Sequence, residues 1–386
     1  MENQTNISII GAGPIGSILA GTLVQAGFSV SLLDQKPLPH QKMVEGVDGR
    51  LIALTPASQI FFQQIGLWEL MRAHATPLDE VHASNQGRGQ VTFSKTLNRG
   101  NPLGYMIPFE TMRTTIVEWA GQFDIQYQGG VDVESIIFET PYGIVGGQQK
   151  GQPFVAKASL IIGADGKNSL SRSLVGLPCR EWDYDQQAFV ATYQHSLAHE
   201  NKAYEFFLPT GPFAILPAQG GYQSSIVWTV ENSYAENLLQ VSEAEFDAKV
   251  AEHMEFLGGI TRKGSLHTYS LTGNFMSNFV KPRFCLVGDA AHGMHPLAGQ
   301  GFNLGVQDVE NLVNILGKSR DNGLDVGSYS MLQTFERRQR PHHAKMLLAM
   351  HGLNWLFSND NRALDWIRDM GLDGVDRSER LKKLFV

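Results

Sequence analysis

Apolar residues change period twice near the start of the chain. Ile7 to Ile10 is an unbroken apolar run, the pattern of a strand buried on both faces. It stops at Gly11-Ala12-Gly13-Pro14-Ile15-Gly16, after which Ile15, Ile18, Leu19 and Leu23 recur at helical spacing as far as Gly27. Val30 to Leu33 is apolar again and closes on Asp34. The sequence predicts strand, helix, strand. The same alternation returns later. Val131 to Phe138, Ile144 to Val145 and Pro153 to Val155 read as hairpin strands, and Ser159 to Gly163 as a buried strand. Phe109 to Ala120 reads as a helix, and residues 79 to 108 as short strands and loops of a second layer. From Gln187 to Glu231 the pattern becomes period-2 and aromatic, which predicts an antiparallel sheet with one covered face. An amphipathic helix follows on Val241, Ala244, Phe246, Val250, Met254 and Leu257. Phe284 to Val287 is another short buried strand. Leu304, Asp308, Leu312 and Ile315 then mark a helix, and Tyr329 to Ala349 a second, partly basic one.

The breaks between these elements carry the chemistry. Gly11, Gly13 and Gly16 follow a strand and open a helix. Glycines there permit a tight turn and bring a pyrophosphate close to the free N–H groups of a helix N-terminus. Asp34, at the end of the second strand, is placed to accept from a ribose hydroxyl. The adenosine of NAD or of FAD satisfies this fingerprint equally. A second break, Gly163-Ala164-Asp165-Gly166, ends the Ser159 to Gly163 strand, with Ser169 and Arg172 following. A third runs from Gly288 to Asp308, GDAAHGMHPLAGQGFNLGVQD. Asp289 sits at a strand's carboxyl end, where open α/β sheets bind ligands. The glycines of the loop let backbone approach a ligand, and the helix start beyond them stabilises a group that becomes anionic.

The three blocks, in this order, resemble the FAD-dependent aromatic monooxygenases, and within them the ubiquinone-biosynthesis hydroxylases. The resemblance covers nearly the whole chain. It implies an α/β fold: a discontinuous Rossmann-like FAD-binding domain (1–75, 103–178 and 274–340), a β-sheet substrate domain (76–102 and 179–273) and a C-terminal helical segment (341–386). It implies FAD held by Gly11, Gly13, Gly16, Asp34, Arg50, Arg113, Asp165, Gly288, Asp289, Gly301, Phe302 and Asn303. Arg50 lies in the family's D-x-R-x-x-A-L pattern, and Arg172 is a candidate for phosphate groups. Pro296, Gly299, Gln300 and Gly301 would line the reacting side of the ring. Phe213, Ile215 and Trp228 match family segments on the substrate side. The implied reaction is hydroxylation of an aromatic ring with dioxygen, after reduction of FAD by NADPH or NADH. The wording from His295 to Asp308 points to a polyprenylated phenol of ubiquinone synthesis. No general base for the phenol is identifiable from sequence.

Composition narrows the alternatives. The 386 residues are 42% hydrophobic and 18% charged with a net charge of −7, which suits a large globular core and argues against a nucleic-acid binder. Cys179 and Cys285 form no framework or metal motif, which fits a reducing cytoplasm. His292-x-x-His295 has no third ligand in a matching motif, so no metal is expected. No second glycine fingerprint exists to bind NAD(P)H, so the nicotinamide would visit transiently. The alternatives are a hydroxylase of a small soluble aromatic, a flavin halogenase, whose W-x-W-x-I-P is absent after Trp228, and a non-catalytic flavin-binding module. An isoprenoid tail would bring the enzyme to a membrane surface or a biosynthetic complex. The sequence offers Arg337, Arg338, Arg340 and Lys345 beside the apolar run Met346 to Phe357 for peripheral contact.

Overall fold

A computed structural model describes residues 3–37, 49–86, 88–294, 300–357 and 362–383. Its first sheet has eight strands. Val280–Lys281, Phe284–Leu286, Gln152–Gly163, Asn3–Ile10, Val30–Asp34 and Ile125–Gly129 lie side by side in that order. Pairing is parallel from Phe284–Leu286 to Ile125–Gly129. The run expected as separate strands at 153–155 and 159–163 is one strand of 12 residues. Its first part pairs antiparallel with Tyr142–Gln149, and its second part pairs parallel with Asn3–Ile10. Pairing on both sides carries the strand through residues 156 to 158, between the two expected strands.

Register aligns the ends of the parallel strands. Ile10 lies beside Leu33 and Gly163, and Gly163 beside Leu286. The chain therefore leaves the sheet along one edge at Gly11, Asp34, Ala164 and Val287, and all three glycine-bearing breaks meet there. The helices Pro14–Gln25 and Phe109–Ala120 cover one face, so close that a Cβ on Gly21 would fall 2.5 Å from the Trp119 ring.

The second sheet has seven strands: Ile260–Phe275, Arg180–His195, Gln223–Glu231, Gly211–Pro217, Lys202–Leu208, Glu80–Asn85 and Gln90–Ser94. One face packs against the helix Glu243–Met254 through Phe189, Phe213, Trp228, Phe246 and Val250. Ser242 and Glu245 form a capping box that starts that helix. A three-stranded sheet, Leu51–Leu54, Gly104–Pro108 and Thr76–Leu78, links the two larger ones.

The helix Tyr329–Phe357 passes continuously through position 341, with Pro341 inside it. An internal proline costs about 3 kcal/mol. Burial of Leu332, Phe335 and His343 on the inward side offsets it. The helix Arg362–Asp376 docks on the edge of the second sheet. Asp369, Asp373 and Asp376 accept from the backbone N–H groups of Gly89, Gln90 and Thr92, which closes an edge strand that would otherwise stand open.

Candidate active site

At the shared strand edge the three glycines of the first loop do different work. Gly11 has φ +106°, and a Cβ there would lie 2.5 Å from the Ala164 carbonyl oxygen. A Cβ on Gly16 would lie 1.9 Å from the oxygen of Gly11. These two are demanded by packing. A Cβ on Gly13 would meet nothing within 4 Å, so this glycine keeps the mouth of the helix clear. The Asp34 carboxylate already holds the N–H of Ala12 at 2.7 Å and of Lys36 at 2.7 Å. It braces the glycine loop and keeps lone pairs for a hydroxyl.

Asp289 lies deep in the molecule, yet its side chain has open surface. It lines a cleft rather than a core. Burial raises its pKa above the usual carboxylate range, against the charges of His292 and Lys167. A hydroxyl donor there would find an underused acceptor. Asn274 fixes the segment beyond: its Oδ1 accepts from Gly293 N at 2.6 Å, and its Nδ2 donates to the Asp289 carbonyl at 3.3 Å. Gly288, at φ +61°, and Gly305 both pack on Ile15, joining the first and third blocks. An open glycine at the first helix mouth and a cleft-facing carboxylate at the next strand end fit a dinucleotide-sized, hydroxyl-rich cofactor.

The helix Gln300–Asp321 starts beside this cleft. A Cβ on Gly301 would meet nothing within 4 Å. Phe302 packs edge-on against Phe62 at 6.3 Å. The Asn303 side chain works structurally: Nδ2 donates to Ala53 O at 2.7 Å, and Oδ1 accepts from Thr55 N at 2.9 Å. It pins the helix start to the strand Leu51–Leu54. Pro296 and Gly299 lie outside the described residues. Arg50 sits over the Phe109 ring at 4.1 Å and near Tyr269 at 5.1 Å, between the start of the helix Phe109–Ala120 and the second sheet.

Several side chains proposed from sequence are engaged elsewhere. Asp165 accepts from Ser169 Oγ at 2.6 Å, Ser171 Oγ at 2.9 Å and Ser171 N at 2.8 Å. It caps its own turn, and its carboxylate does not turn to the cleft. Arg172 is buried, reaching the Ala290 carbonyl and Glu181, which replaces the phosphate role with a structural one. Arg113 pairs with Glu110 at 2.8 Å. Phe213, Ile215 and Trp228 belong to the apolar layer under the helix Glu243–Met254. Ser225, one residue out of phase with Trp228's face, donates to the Gly49 carbonyl at 2.6 Å, so the opposite face looks towards Arg50. Phe213, Ile215 and Trp228 are core rather than substrate-side residues. Strand parity is the reason: a slip of one residue exchanges the faces.

One cluster escaped the sequence reading. Asp308, fully buried, takes four donors. Its Oδ1 accepts from Gln339 Nε2 and His343 Nε2, each at 2.7 Å; its Oδ2 accepts from His292 Nε2 at 2.7 Å and Gly288 N at 3.0 Å. The three side chains lie close enough to share an ion, but four N–H donors saturate the carboxylate. Burial would raise the Asp308 pKa; the two imidazoles outweigh it and hold the carboxyl well below its usual range. Burial likewise opposes charge on His292, and Asp308 reverses that, so His292 is raised. His343 is lowered by burial, with His292 adding to the effect. The cluster thus favours charge on His292 over charge on His343. Arg337, Arg338, Arg340 and Lys345 are exposed, but Glu336, Gln339 and His343 form a buried polar stripe at helical spacing.

A nucleotide-binding sheet with parallel strand ends and a cleft-facing Asp289, roofed by a second, mostly antiparallel sheet, defines an FAD-dependent monooxygenase of aromatic rings. A family profile described as "FAD binding domain" matches residues 4–349, and the chain belongs to that family. It is 34% identical to "Ubiquinone hydroxylase UbiL" of Rhodospirillum rubrum, over 100% of this chain and 89% of that one. It is 29% identical to "3-demethoxyubiquinol 3-hydroxylase" of Escherichia coli, over 99% of this chain and 98% of that one. Among solved structures, p-nitrophenol 4-monooxygenase of Pseudomonas putida superimposes with a TM-score of 0.82 at 18% identity, covering 100% of this chain and 97% of that one.

Proposed function

We propose that this enzyme hydroxylates the ring of a polyprenylated phenol in ubiquinone biosynthesis, using FAD, NADPH or NADH, and dioxygen. The observation that carries the reading is the end-to-end match to ubiquinone hydroxylases. FAD, when bound, supplies the oxygen chemistry: it carries two electrons from NAD(P)H to dioxygen, one atom of which enters the ring while the other leaves as water. The protein positions and polarises. The mouth of the helix Pro14–Gln25, kept clear at Gly13, would hold a pyrophosphate. Asp34 and Asp289 would accept from sugar-type hydroxyls. The first turn of the helix Gln300–Asp321, at the positive end of its dipole, would stabilise negative charge at the ring edge. Arg50, packed between Phe109 and Tyr269, would close the opposite side and exclude water.

An isoprenoid tail requires a lipid source. Among the described residues no helix is long and apolar enough to cross a membrane. The helix Tyr329–Phe357 carries exposed Leu348 and Trp355, 72% and 67% accessible, along a face shared with Lys345 and preceded by exposed Arg337, Arg338 and Arg340. This basic and apolar face supports peripheral contact with an anionic bilayer. Deleting the gene and extracting the quinones tests the pathway. Accumulation of one under-hydroxylated precursor supports the reading and identifies the ring carbon. Normal ubiquinone in a strain with no second such hydroxylase overturns it in favour of a small soluble aromatic.

A further inference from the structure

The second sheet has an apolar face, packed on helices, and a face turned towards Arg50. Tyr204 and Phe206 lie with the apolar layer, so Glu205 between them points the other way. Its lateral neighbours in register are Ala83 on one strand and Ala214 on the other, with Val227 beyond Ala214. Farther along this face Ser225 bonds the Gly49 carbonyl, and Tyr269, paired with Ala188, lies beside Arg50. Glu205 is therefore a carboxyl among small and apolar residues, on the same sheet face as Ser225 and Tyr269. Among the described residues no hydrogen bond or ion pair engages it. His82, which pairs with Tyr204, and Lys202 lie on the other face. A carboxyl buried without a partner is costly, and structural carboxylates in this protein, such as Asp165 and Asp308, are saturated with donors. Glu205 also keeps part of its surface open although protein surrounds it, as a group lining an internal space does.

We propose that Glu205 is the acid–base residue that meets the substrate's phenolic hydroxyl, an assignment that rests on the aromatic-hydroxylase reading. The carboxylate takes the O–H proton as the ring carbon forms its bond to the incoming oxygen, leaving a ring ketone. The ring C–H proton is then lost to solvent, and Glu205 returns its proton to the ketone oxygen, restoring the aromatic diol. The O–O bond of dioxygen breaks, and NAD(P)H supplies the two electrons that carry its second oxygen to water. The small side chains at 83 and 214 leave room for a planar ring. Burial pushes the Glu205 pKa up to about 8, closer to that of a phenol than an ordinary carboxyl, which favours proton sharing in the transition state.

The test uses the holoenzyme and a phenol bearing a short isoprenoid tail, with Glu205→Gln and Glu205→Asp. Bound flavin per chain should stay within about twofold of wild type in both, which also reports that they fold. Product per NAD(P)H should fall by about 10²-fold in Glu205→Gln, the scale of lost general acid–base catalysis, with the electrons recovered as hydrogen peroxide. Glu205→Asp should retain a measurable share of product. Glutamine preserves shape and hydrogen bonding, so a loss confined to product yield isolates the proton. Hydroxylation by Glu205→Gln within twofold of wild type overturns the assignment while leaving the function standing. A flavin-loaded wild type that hydroxylates no phenol overturns the function and this assignment with it.

Discussion

Replacing Asp308 with Asn should loosen the cofactor site from behind. The amide keeps one acceptor oxygen and presents an NH₂ where the other oxygen stood. Two of the four donors, either Gln339 and His343 or His292 and Gly288 N, then face a donor in a fully buried position. Each lost hydrogen bond to a charged group is worth about 1.5–3 kcal/mol, and breaking a buried pair typically costs about 3–5 kcal/mol. The upper part of that range requires no relaxation, so about 3 kcal/mol is expected. The loss should also reach the flavin, because Asp308 fixes Gly288, the residue before Asp289. Equilibrium urea denaturation of the apoprotein and flavin titration measure the two effects. The pH dependence follows from the shifts. The Asp308 carboxyl is held low, so its contribution is present above about pH 4, its unfolded value, and is lost in acid. His292 is raised, so its share is full below about pH 6.5 and fades as pH rises through the folded value. His343 is lowered, so it contributes the opposite way and costs stability below about pH 6.5. A destabilisation under about 1 kcal/mol at pH 6 with unchanged flavin affinity would refute the hub as argued.

Four further substitutions separate the roles. Asp289→Ala should cut flavin occupancy at least tenfold by removing a charge-assisted acceptor worth about 1.5–3 kcal/mol; absorbance of the purified protein reads it. Gly301→Val should fold, since its Cβ meets nothing, but should lower product per NAD(P)H by filling the helix mouth, which coupled oxygen-uptake and product assays detect. Trp228→Ala should cost about 3–5 kcal/mol in unfolding experiments while leaving the KM for a phenol within twofold, because its ring lies under the helix Glu243–Met254. Glu205, raised to about 8, adds stability in acid that is lost as pH rises from about 4.3. Glu205→Gln should therefore melt above wild type at pH 9 and not at pH 4.

The parts of the fold legible from sequence are those whose signal is local. Ile7 to Asp34 announces itself because one apolar run, three glycines and one helical stripe sit within a single βαβ unit. The position of Asp289 at a strand end is legible for the same reason: strand, acid and glycine loop are contiguous. Roles that depend on distant partners were not. Asp165 resembles a cleft acid, and only the positions of Ser169 and Ser171 show that it is spent on its own turn. His343 reads as one more charge in a basic run until the helix is seen to turn it onto Asp308. Its one local trace is the stripe of Glu336, Gln339 and His343, polar residues spaced as a buried face would be. The C-terminal carboxylates at 369, 373 and 376 carry no motif at all. Their function lies in an edge strand far earlier in the chain.

Strand parity explains why the substrate residues were misplaced and where variation in substrate can arise. In the strand Lys202–Leu208, neighbouring residues have opposite fates: Tyr204 and Phe206 hold the sheet to its helices, while Glu205 lies on the opposite face. The strand Gly211–Pro217 repeats the division, with Phe213 and Ile215 in the core and Ala214 on the roof. An aromatic-rich segment is therefore conspicuous for stability, and its small or polar alternates are conspicuous for chemistry. The core face tolerates little, since losing a large buried side chain costs several kcal/mol. The roof face is free to change at Ala83, Ala214 and Val227 without touching that core. Enlarging Ala214 to Phe should thus alter which phenols are accepted, and the change should appear in KM across a series of ring substituents while the urea midpoint moves little. A collapse of stability instead would show that the roof face is packed, and would remove the room for a substrate ring beside Glu205.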